Sequence, residues 1–400
     1  MVNTKEIVIF GAGKIGRSFI GQLFGCNGYQ VVFVDVDQVI IAGLNEKKSY
    51  RVVIKGNIDQ EIIVPNVSAI SAFDRDKVIE AVSKAGILAV SVGKNVLERI
   101  VPVIAAGVEK RYSMDPEVTL DIILAENMRS AAEFVRQILI RNLSLDFVVD
   151  EFVGLIETSI GKMVPIIPQT ELEKDPLVVF AEAYNTLILD AKGFKSSIPQ
   201  IKGLAPKNNI KAWVDRKAFI HNLGHATAAY YGYTLHPEVV YLYEVLEDPE
   251  VLFFTRAVML QSADILLAAY PDDFTLADLE AHIDDLINRF RNKALKDTIF
   301  RVGMDLVRKL GHDDRFMGSI HLGMQYKKPY DLILKAMSFG LKFKAKDEGG
   351  TGFTSDIKFL KSLEKNFESS LTEILGYDPV IDQPVIEKLI GLYKQPGIIV

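Results

Sequence analysis

Gly11-x-Gly13-x-x-Gly16 follows the apolar run Ile7 to Phe10 and precedes a helical pattern at Ile15, Phe19, Ile20 and Leu23. Residues of those types in that order can hold a pyrophosphate. Gly11 permits a tight strand-to-helix turn, Gly13 lets backbone approach the phosphates, and Gly16 lets the helix lie close to a sheet. Ala12, Lys14 and Ile15 complete the loop, where a helix N-terminus offers N–H groups and a positive dipole end. A second apolar run, Val31 to Val34, ends in Asp35, 19 residues past Gly16. A carboxylate there accepts hydrogen bonds from both hydroxyls of an adenosine ribose and repels a 2′-phosphate. Neither Val36 nor Asp37 supplies a compensating arginine. The pattern points to NAD over NADP.

A second group of reactive side chains lies within Lys217, His221, Asn222, Gly224 and His225. At about 100° per residue they fall within an arc of roughly 160° on an α-helix. One face then carries an amine, an amide and two imidazoles, with Gly224 leaving room for a ligand. A solvated helical face would look similar, but Asn and Gly form helices poorly, and apolar Phe219, Ile220 and Leu223 flank the face closely. Asn127, just past an apolar run, is either a ligand donor or a simple turn residue. The basic stretch Arg301, Arg308, Lys309 and Arg315 offers an anion site. Arg301, Asp305 and Arg308 share a helical face, so an ion-pair ladder explains them equally well.

The elements that must position these residues alternate in type through the first half. Strands are predicted at Ile87 to Val92, ending at Gly93; at Leu120 to Ala125, ending at Glu126-Asn127; and at Phe147 to Thr158. Helices are predicted over Lys77 to Lys84 and Val96 to Val108. This rhythm predicts an α/β chain with a Rossmann-type, doubly wound, mostly parallel sheet, whose ligands sit at the carboxyl ends of the strands. Gly93 and Asn127 are therefore placed for the nicotinamide end. Prolines punctuate residues 161–206, read as a sheet extension with a strand-like piece at Phe194 to Ile201. From about Asn208 helical periodicity takes over, at Ala212 to Tyr231, Val251 to Ala269, Leu276 to Arg291 and Asp297 to Leu310. The expected domains are 1–206, binding NAD, and 207–400, mainly α-helical. A short helix at Pro384 to Tyr393 and an apolar end that docks complete the chain.

Four hundred residues exceed what one hydrophobic core sustains. A formal net charge of −6 with dispersed Lys and Arg argues against nucleic acid or a membrane surface as partner. The reading finds no apolar run near 18 residues and no signal peptide, so the expected compartment is the cytoplasm. Cys26 is the only cysteine, which excludes disulfides and thiolate-rich zinc sites. The six histidines are scattered, and no metal is expected. The expected partner is a small molecule, bound by a monomer or a small homo-oligomer.

Lys217-x4-Asn222-x2-His225 has the Lys-x4-Asn-x2-His spacing of the polyol-specific long-chain dehydrogenases, a zinc-free NAD family. Phe10-Gly-Ala-Gly-Lys-Ile-Gly-Arg-Ser-Phe-Ile-Gly21, Val96-Leu-Glu-Arg-Ile100, Ala125-Glu-Asn-Met128 and His221-Asn-Leu-Gly-His-Ala226 resemble its mannitol-1-phosphate 5-dehydrogenase branch. The resemblance runs from the first strand to at least Leu310. It implies NAD-dependent interconversion of D-mannitol 1-phosphate and D-fructose 6-phosphate. Lys217 is then the general base, Asn222 and Asn127 donate to the developing alkoxide, and His225 holds a neighbouring hydroxyl and orients Lys217. His221, one α-helical turn from Lys217, competes for that last role. One departure stands out: Gly161-Lys162-Met163-Val-Pro165 replaces an Asp-Arg pair expected before Val-Pro. A substrate-contacting carboxylate is missing there, which keeps free-polyol dehydrogenase and hexuronate reductase open as alternatives. A catalytically silent NAD sensor is the non-enzyme alternative. With Gly11, Gly13, Gly93 and Asn127 in one predicted domain and Lys217 in the other, the site is expected to form between them.

Overall fold

A computed structural model describes residues 2–56 and 58–394. The chain divides into two compact units, Met1–Val214 and Asp215–Val400. The first holds β1 (Asn3–Phe10), β2 (Gln30–Asp35), β3 (Ser49–Ile54), β4 (Gln60–Pro65), β5 (Val67–Ser71), β6 (Ala85–Val90), β7 (Leu120–Leu124), β8 (Val153–Ser159), β9 (Val179–Ala181), β10 (Leu187–Asp190) and β11 (Leu204–Lys207). One sheet runs in the order β11-β10-β8-β7-β6-β1-β2-β5. From β5 to β8 every neighbouring pair is parallel, and β10 joins β8 antiparallel. The doubly wound sheet is therefore present, and its strand order reverses between β1 and β6. In such sheets ligands bind outside the carboxyl ends of the strands at that reversal.

The apolar runs explain why these strands lie at the centre. Ile7 and Ile9 enter one buried cluster while Val8 and Phe10 enter the other. Val31 and Phe33 likewise part from Val32 and Val34. A parallel strand covered on both faces needs apolar residues at successive positions, not alternate ones. Two of the helices between strands start on side-chain caps: Asp37 accepts from the Val39 and Ile40 amides, and Asp74 from the Lys77 amide.

Several expected elements differ. Residues 147–152 are no strand; Val149–Phe152 forms a helical turn, and Phe147 and Phe152 pack edge-on against Tyr112. Phe194 to Ile201 is irregular, because the Lys195 and Ser196 amides donate to the buried Asp121 carboxylate at 2.8 and 3.1 Å. The hairpin β3–β4, which β9 joins in a smaller sheet, was not foreseen. Its residues Ser49 to Ile54 and Gln60 to Pro65 carry little of the long apolar signal that marks β1.

The second unit is helical. Leu223–Leu235 is buried nearly all round, with Leu223, Ala226, Ala228, Ala229 and Tyr230 fully covered, as a central helix requires. Gly224 does not leave room for a ligand: a Cβ there would meet Met259 Sδ at 2.4 Å, so the glycine admits a neighbouring helix. That neighbour, Pro249–Ala269, is apolar and long enough to pass as a membrane span by composition, contrary to the sequence reading. It carries Arg256 and Asp264, and Val251, Val258, Met259, Ala263, Ile265 and Leu266 are buried in the unit, as in a core helix. The expected helix Asp297 to Leu310 is broken. Ile299–Gly303 and Leu306–Lys309 are separate, parted by Asp305 at φ 72°, so Arg301, Asp305 and Arg308 share no continuous face. The helix at the C-terminus spans Gln383–Lys394. The apolar end, 395–400, lies outside the described residues.

Candidate active site and dinucleotide cradle

The glycine loop turns at the carboxyl end of β1. Gly11 has φ 96°, and its N–H donates to the Val34 carbonyl at 2.9 Å. A Cβ on Gly16 would lie 1.9 Å from the Gly11 carbonyl oxygen, so the helix passes the loop at a distance only glycine permits. A Cβ on Gly13 would meet nothing within 4 Å. The roles read from the sequence separate here: Gly11 and Gly16 close the turn, and Gly13 borders open space. Arg17, which the sequence reading passed over, locks the loop from inside. It is buried, with Nε donating to the Ala12 carbonyl and Nη1 to the Leu177 carbonyl, both at 2.6 Å. The Asp35 carboxylate accepts from the Ala12 amide at 2.6 Å and from the Val36 and Asp37 amides at 2.7 and 3.0 Å. A carboxylate has about four lone-pair sites, which leaves capacity for a ribose hydroxyl. Lys14 is exposed and Ile15 half-buried at the start of the helix.

At the carboxyl ends of β6 and β7 a second residue missed by sequence reasoning sets the geometry. Glu126 is buried and accepts from the Val92 amide at 2.7 Å and the Gly93 amide at 3.0 Å. Burial raises its carboxyl pKa, and those two amides pull it back down. Gly93 is held at φ 89°, and a Cβ on it would also enter open space. Asn127, next in the chain, is exposed beside this loop. The residues present fit a dinucleotide: a positive-φ turn, two open glycines and an acid terminating β2.

In the second unit, Lys217–Asn222 is a π-helical segment, with the Leu223 N–H reaching back to the Ala218 carbonyl. This corrects the α-helical arc. In an α-helix Asn222 would stand about 140° around from Lys217. A π turn closes at i to i+5, so Asn222 comes back toward the Lys217 face, which His221 also shares. The ordinary helix resumes at Leu223, which puts His225 three residues beyond Asn222 on neighbouring surface. The Lys-x4-Asn-x2-His spacing is thus one π turn followed by most of one α turn.

Lys217 keeps part of its surface exposed, yet its pKa is lowered to about 8, first by desolvation and then by the Arg315 guanidinium. Arg315 is buried, bonded to the Asp314 carboxylate at 2.8 Å and to the Asn222 carbonyl at 3.2 Å. His225 stacks on Phe290 with centroids 4.6 Å apart. Its Nε2 is buried without a hydrogen-bond partner, 3.5 Å from the Asp297 carboxylate. Burial holds its pKa well below the usual imidazole range, with Arg301, Lys309 and Arg315 adding to the depression. His221 is likewise neutral, by burial and then by Arg289. It sits deeper, against Phe290 at 5.6 Å.

The basic stretch separates by environment. Arg301 pairs with Asp297, and Arg308 donates to Asp305 at 2.5 Å. Lys309 is buried, donating to the Val302 carbonyl at 2.6 Å, and burial lowers its pKa to about 7. In the first unit, Lys162 is also buried. It donates to Gln22 Oε1 at 3.1 Å and Asn185 Oδ1 at 2.6 Å, and desolvation lowers its pKa to about 7. The amine standing where an Asp-Arg pair was expected is therefore already bound within the fold.

Comparison with known proteins agrees with this architecture. Residues 5–203 match the family described as Mannitol dehydrogenase Rossmann domain, and residues 209–375 match Mannitol dehydrogenase C-terminal domain. A substrate-free D-sorbitol dehydrogenase superposes with a TM-score of 0.76 at 15% identity, covering 97% of this chain and 92% of that one. The Pseudomonas fluorescens mannitol 2-dehydrogenase, solved as a ternary complex with NAD and D-mannitol, superposes with a TM-score of 0.71 at 14% identity, covering 98% and 90%.

Proposed function

This chain belongs to the mannitol dehydrogenase family, and from that premise we propose that it oxidises D-mannitol 1-phosphate to D-fructose 6-phosphate with NAD, and catalyses the reverse. The observation that carries the reading is the π turn that sets Lys217 and Asn222 on one face beside His225. Bound NAD supplies the hydride acceptor. Lys217, neutral in part near pH 8, takes the proton of the reacting hydroxyl as the carbon loses hydride. The Asn222 and Asn127 amides donate to the oxygen as negative charge grows on it. The unpartnered Nε2 of His225 holds a neighbouring substrate hydroxyl. In sugar reduction the Lys217 ammonium returns the proton.

A phosphate on the substrate is favoured by the field around this array. Arg315 and Arg308 depress the Lys217 pKa, and Arg301, Lys309 and Arg315 depress that of His225. A phosphate dianion would pair with guanidinium groups of this kind. The free-polyol reading rests on the structural neighbours, a sorbitol and a mannitol 2-dehydrogenase, and on Lys162 in place of the expected acid. NADH-linked reduction of fructose 6-phosphate, measured beside free fructose and a uronate panel, separates the readings. The expected result is a kcat/KM for the phosphate ester at least about a hundredfold above fructose, as one charge-assisted contact or two supply. Equal or better turnover of the free sugar overturns the phosphate assignment. NAD binding without turnover of any of them returns the chain to the silent-sensor reading.

Asp35→Ala removes both the ribose acceptor and the tie to the Ala12 amide. Losing hydrogen bonds to a charged group costs about 1.5–3 kcal/mol, so NAD affinity is expected to fall roughly 10- to 100-fold. NADP, which this carboxylate repels, loses less, and the NAD/NADP preference narrows. Fluorescence titration with NADH and NADPH reads both. An unchanged NADH affinity removes Asp35 from the cofactor site.

A further inference from the structure

His312, His321 and Asp382 are far apart in sequence, yet their nearest ligand atoms all lie within 4.8 Å of one another. His312 stands in the turn before helix Met317–Gln325, His321 on that helix, and Asp382 immediately before Gln383–Lys394. The Asp382 side chain is fully buried. His321 Nε2 lies 2.6 Å from its Oδ1, His312 Nε2 lies 3.6 Å from its Oδ2, and the two imidazole centroids are 4.4 Å apart.

The second nitrogen of His312 decides what this cluster needs. His312 Nδ1 is 2.8 Å from the Asp313 carboxylate, which accepts only an Nδ1–H. With Nδ1 engaged there, Nε2 is the ring nitrogen turned toward the buried Asp382 carboxylate, 3.6 Å from its Oδ2. Oδ2 already receives the Asp378 amide at 2.8 Å, which supplies partial charge but no cation. A cation at the centre would meet one ring nitrogen from each imidazole and the buried carboxylate together. The donor set of two imidazoles and one carboxylate suits zinc-class divalent transition ions. A zinc ion bonds such donors at about 2.0–2.2 Å, which places tetrahedral ligand atoms roughly 3.3 Å apart, between the two separations seen. Asp313 behind His312 is the carboxylate that orients a ligating imidazole. Both histidines keep partial solvent exposure, so water can fill the remaining position.

We propose that His312, His321 and Asp382 form a divalent transition-metal site that fastens the C-terminal helix Gln383–Lys394 to the helical unit. The site is separate from the Lys217 array and takes no part in hydride transfer. Asp382 opens the helix, accepting the Val385 and Ile386 amides on its carbonyl at 2.9 Å, while the His312 amide donates to the Leu375 carbonyl at 2.9 Å. Metal bound there joins the three segments that carry His312, His321 and Asp382.

The full-length protein is stripped with a chelator and titrated calorimetrically with Zn²⁺. Co²⁺ serves as a spectroscopic probe. One Zn²⁺ per chain is expected, with a visible Co²⁺ absorption band of low-symmetry, four- or five-coordinate character. His312→Gln with His321→Gln is expected to abolish the stoichiometric binding and the band. Asp313→Asn is expected to weaken binding about 10- to 100-fold while leaving all three ligands in place. The dehydrogenase rate with saturating substrate is expected to be the same in these variants. Absence of one-to-one Zn²⁺ binding below about 10 µM, a range in which even modest sites are half-filled, overturns the proposal. So does binding that survives the double substitution. Neither result touches the assignment of Lys217.

Discussion

Lys217→Ala is expected to lower kcat by about 10²- to 10⁴-fold, the range a positioned general base contributes, with NADH affinity nearly unchanged. The amine belongs to the helical unit and the glycine loop to the other, so in the proposed mechanism its loss removes proton transfer and no group of the cofactor cradle. The pH profile gives an independent reading. Lys217 has a pKa lowered to about 8, by burial first and by Arg315 second. Polyol oxidation needs the neutral amine, so kcat/KM rises as pH passes upward through about 8. Sugar reduction needs the ammonium and falls over the same interval. His221 and His225, both held well below the ordinary imidazole range, stay neutral throughout. Lys162 and Lys309, each brought by burial to about 7, titrate earlier. The residual rate of Lys217→Ala should therefore be flat from about pH 7.5 to about 9, the interval that contains the Lys217 titration and lies above those of Lys162 and Lys309. Retention of a tenth of the wild-type rate, or an unchanged profile in the variant, takes Lys217 out of the mechanism.

The sequence was a good guide where one residue type answers one geometric demand. Gly11, Gly16 and Asp35 were legible because a positive φ, a 1.9 Å clearance and an acid terminating a strand admit few substitutes. The strands β1, β2, β6 and β7 were legible because both faces are buried and the apolar signal is continuous. Arg17 and Glu126 escaped notice because their work is done on backbone groups that sequence does not display. Gly224 was misread because a glycine that admits Met259 and one that admits a ligand look alike in sequence. The π turn at Lys217–Asn222 was hidden for a related reason: helical periodicity is read at 3.6 residues, and a single wide turn shifts every later position. The His312–His321–Asp382 cluster was read as scattered histidines because its third member lies 61 residues beyond the second.

Gly16→Ala and Gly13→Ala are expected to destroy cofactor binding by opposite routes. At Gly16 the new methyl would sit 1.9 Å from the Gly11 carbonyl oxygen and 3.0 Å from Ser91 Oγ. The backbone cannot retreat easily. Gly11 is held at φ 96° by its bond to Val34, and Arg17 holds the Ala12 carbonyl from within. Overpacking of this kind costs about 1–3 kcal/mol. At roughly 2–4 °C per kcal/mol for a unit of this size, the melting temperature should fall by several degrees. NADH affinity should fall more than about a hundredfold, because the loop must open to accept the methyl. Gly13→Ala meets no protein atom within 4 Å, so its melting temperature should match wild type. Its methyl instead occupies the space through which backbone approaches the pyrophosphate, and NADH binding should be lost with the fold intact. Calorimetric melting and NADH fluorescence titration, run on both variants, distinguish the routes. Normal NADH binding by a stable Gly13→Ala would mean that the open space beside Gly13 is not where the pyrophosphate lies, and the cradle would have to be sought elsewhere along the carboxyl edge of the sheet.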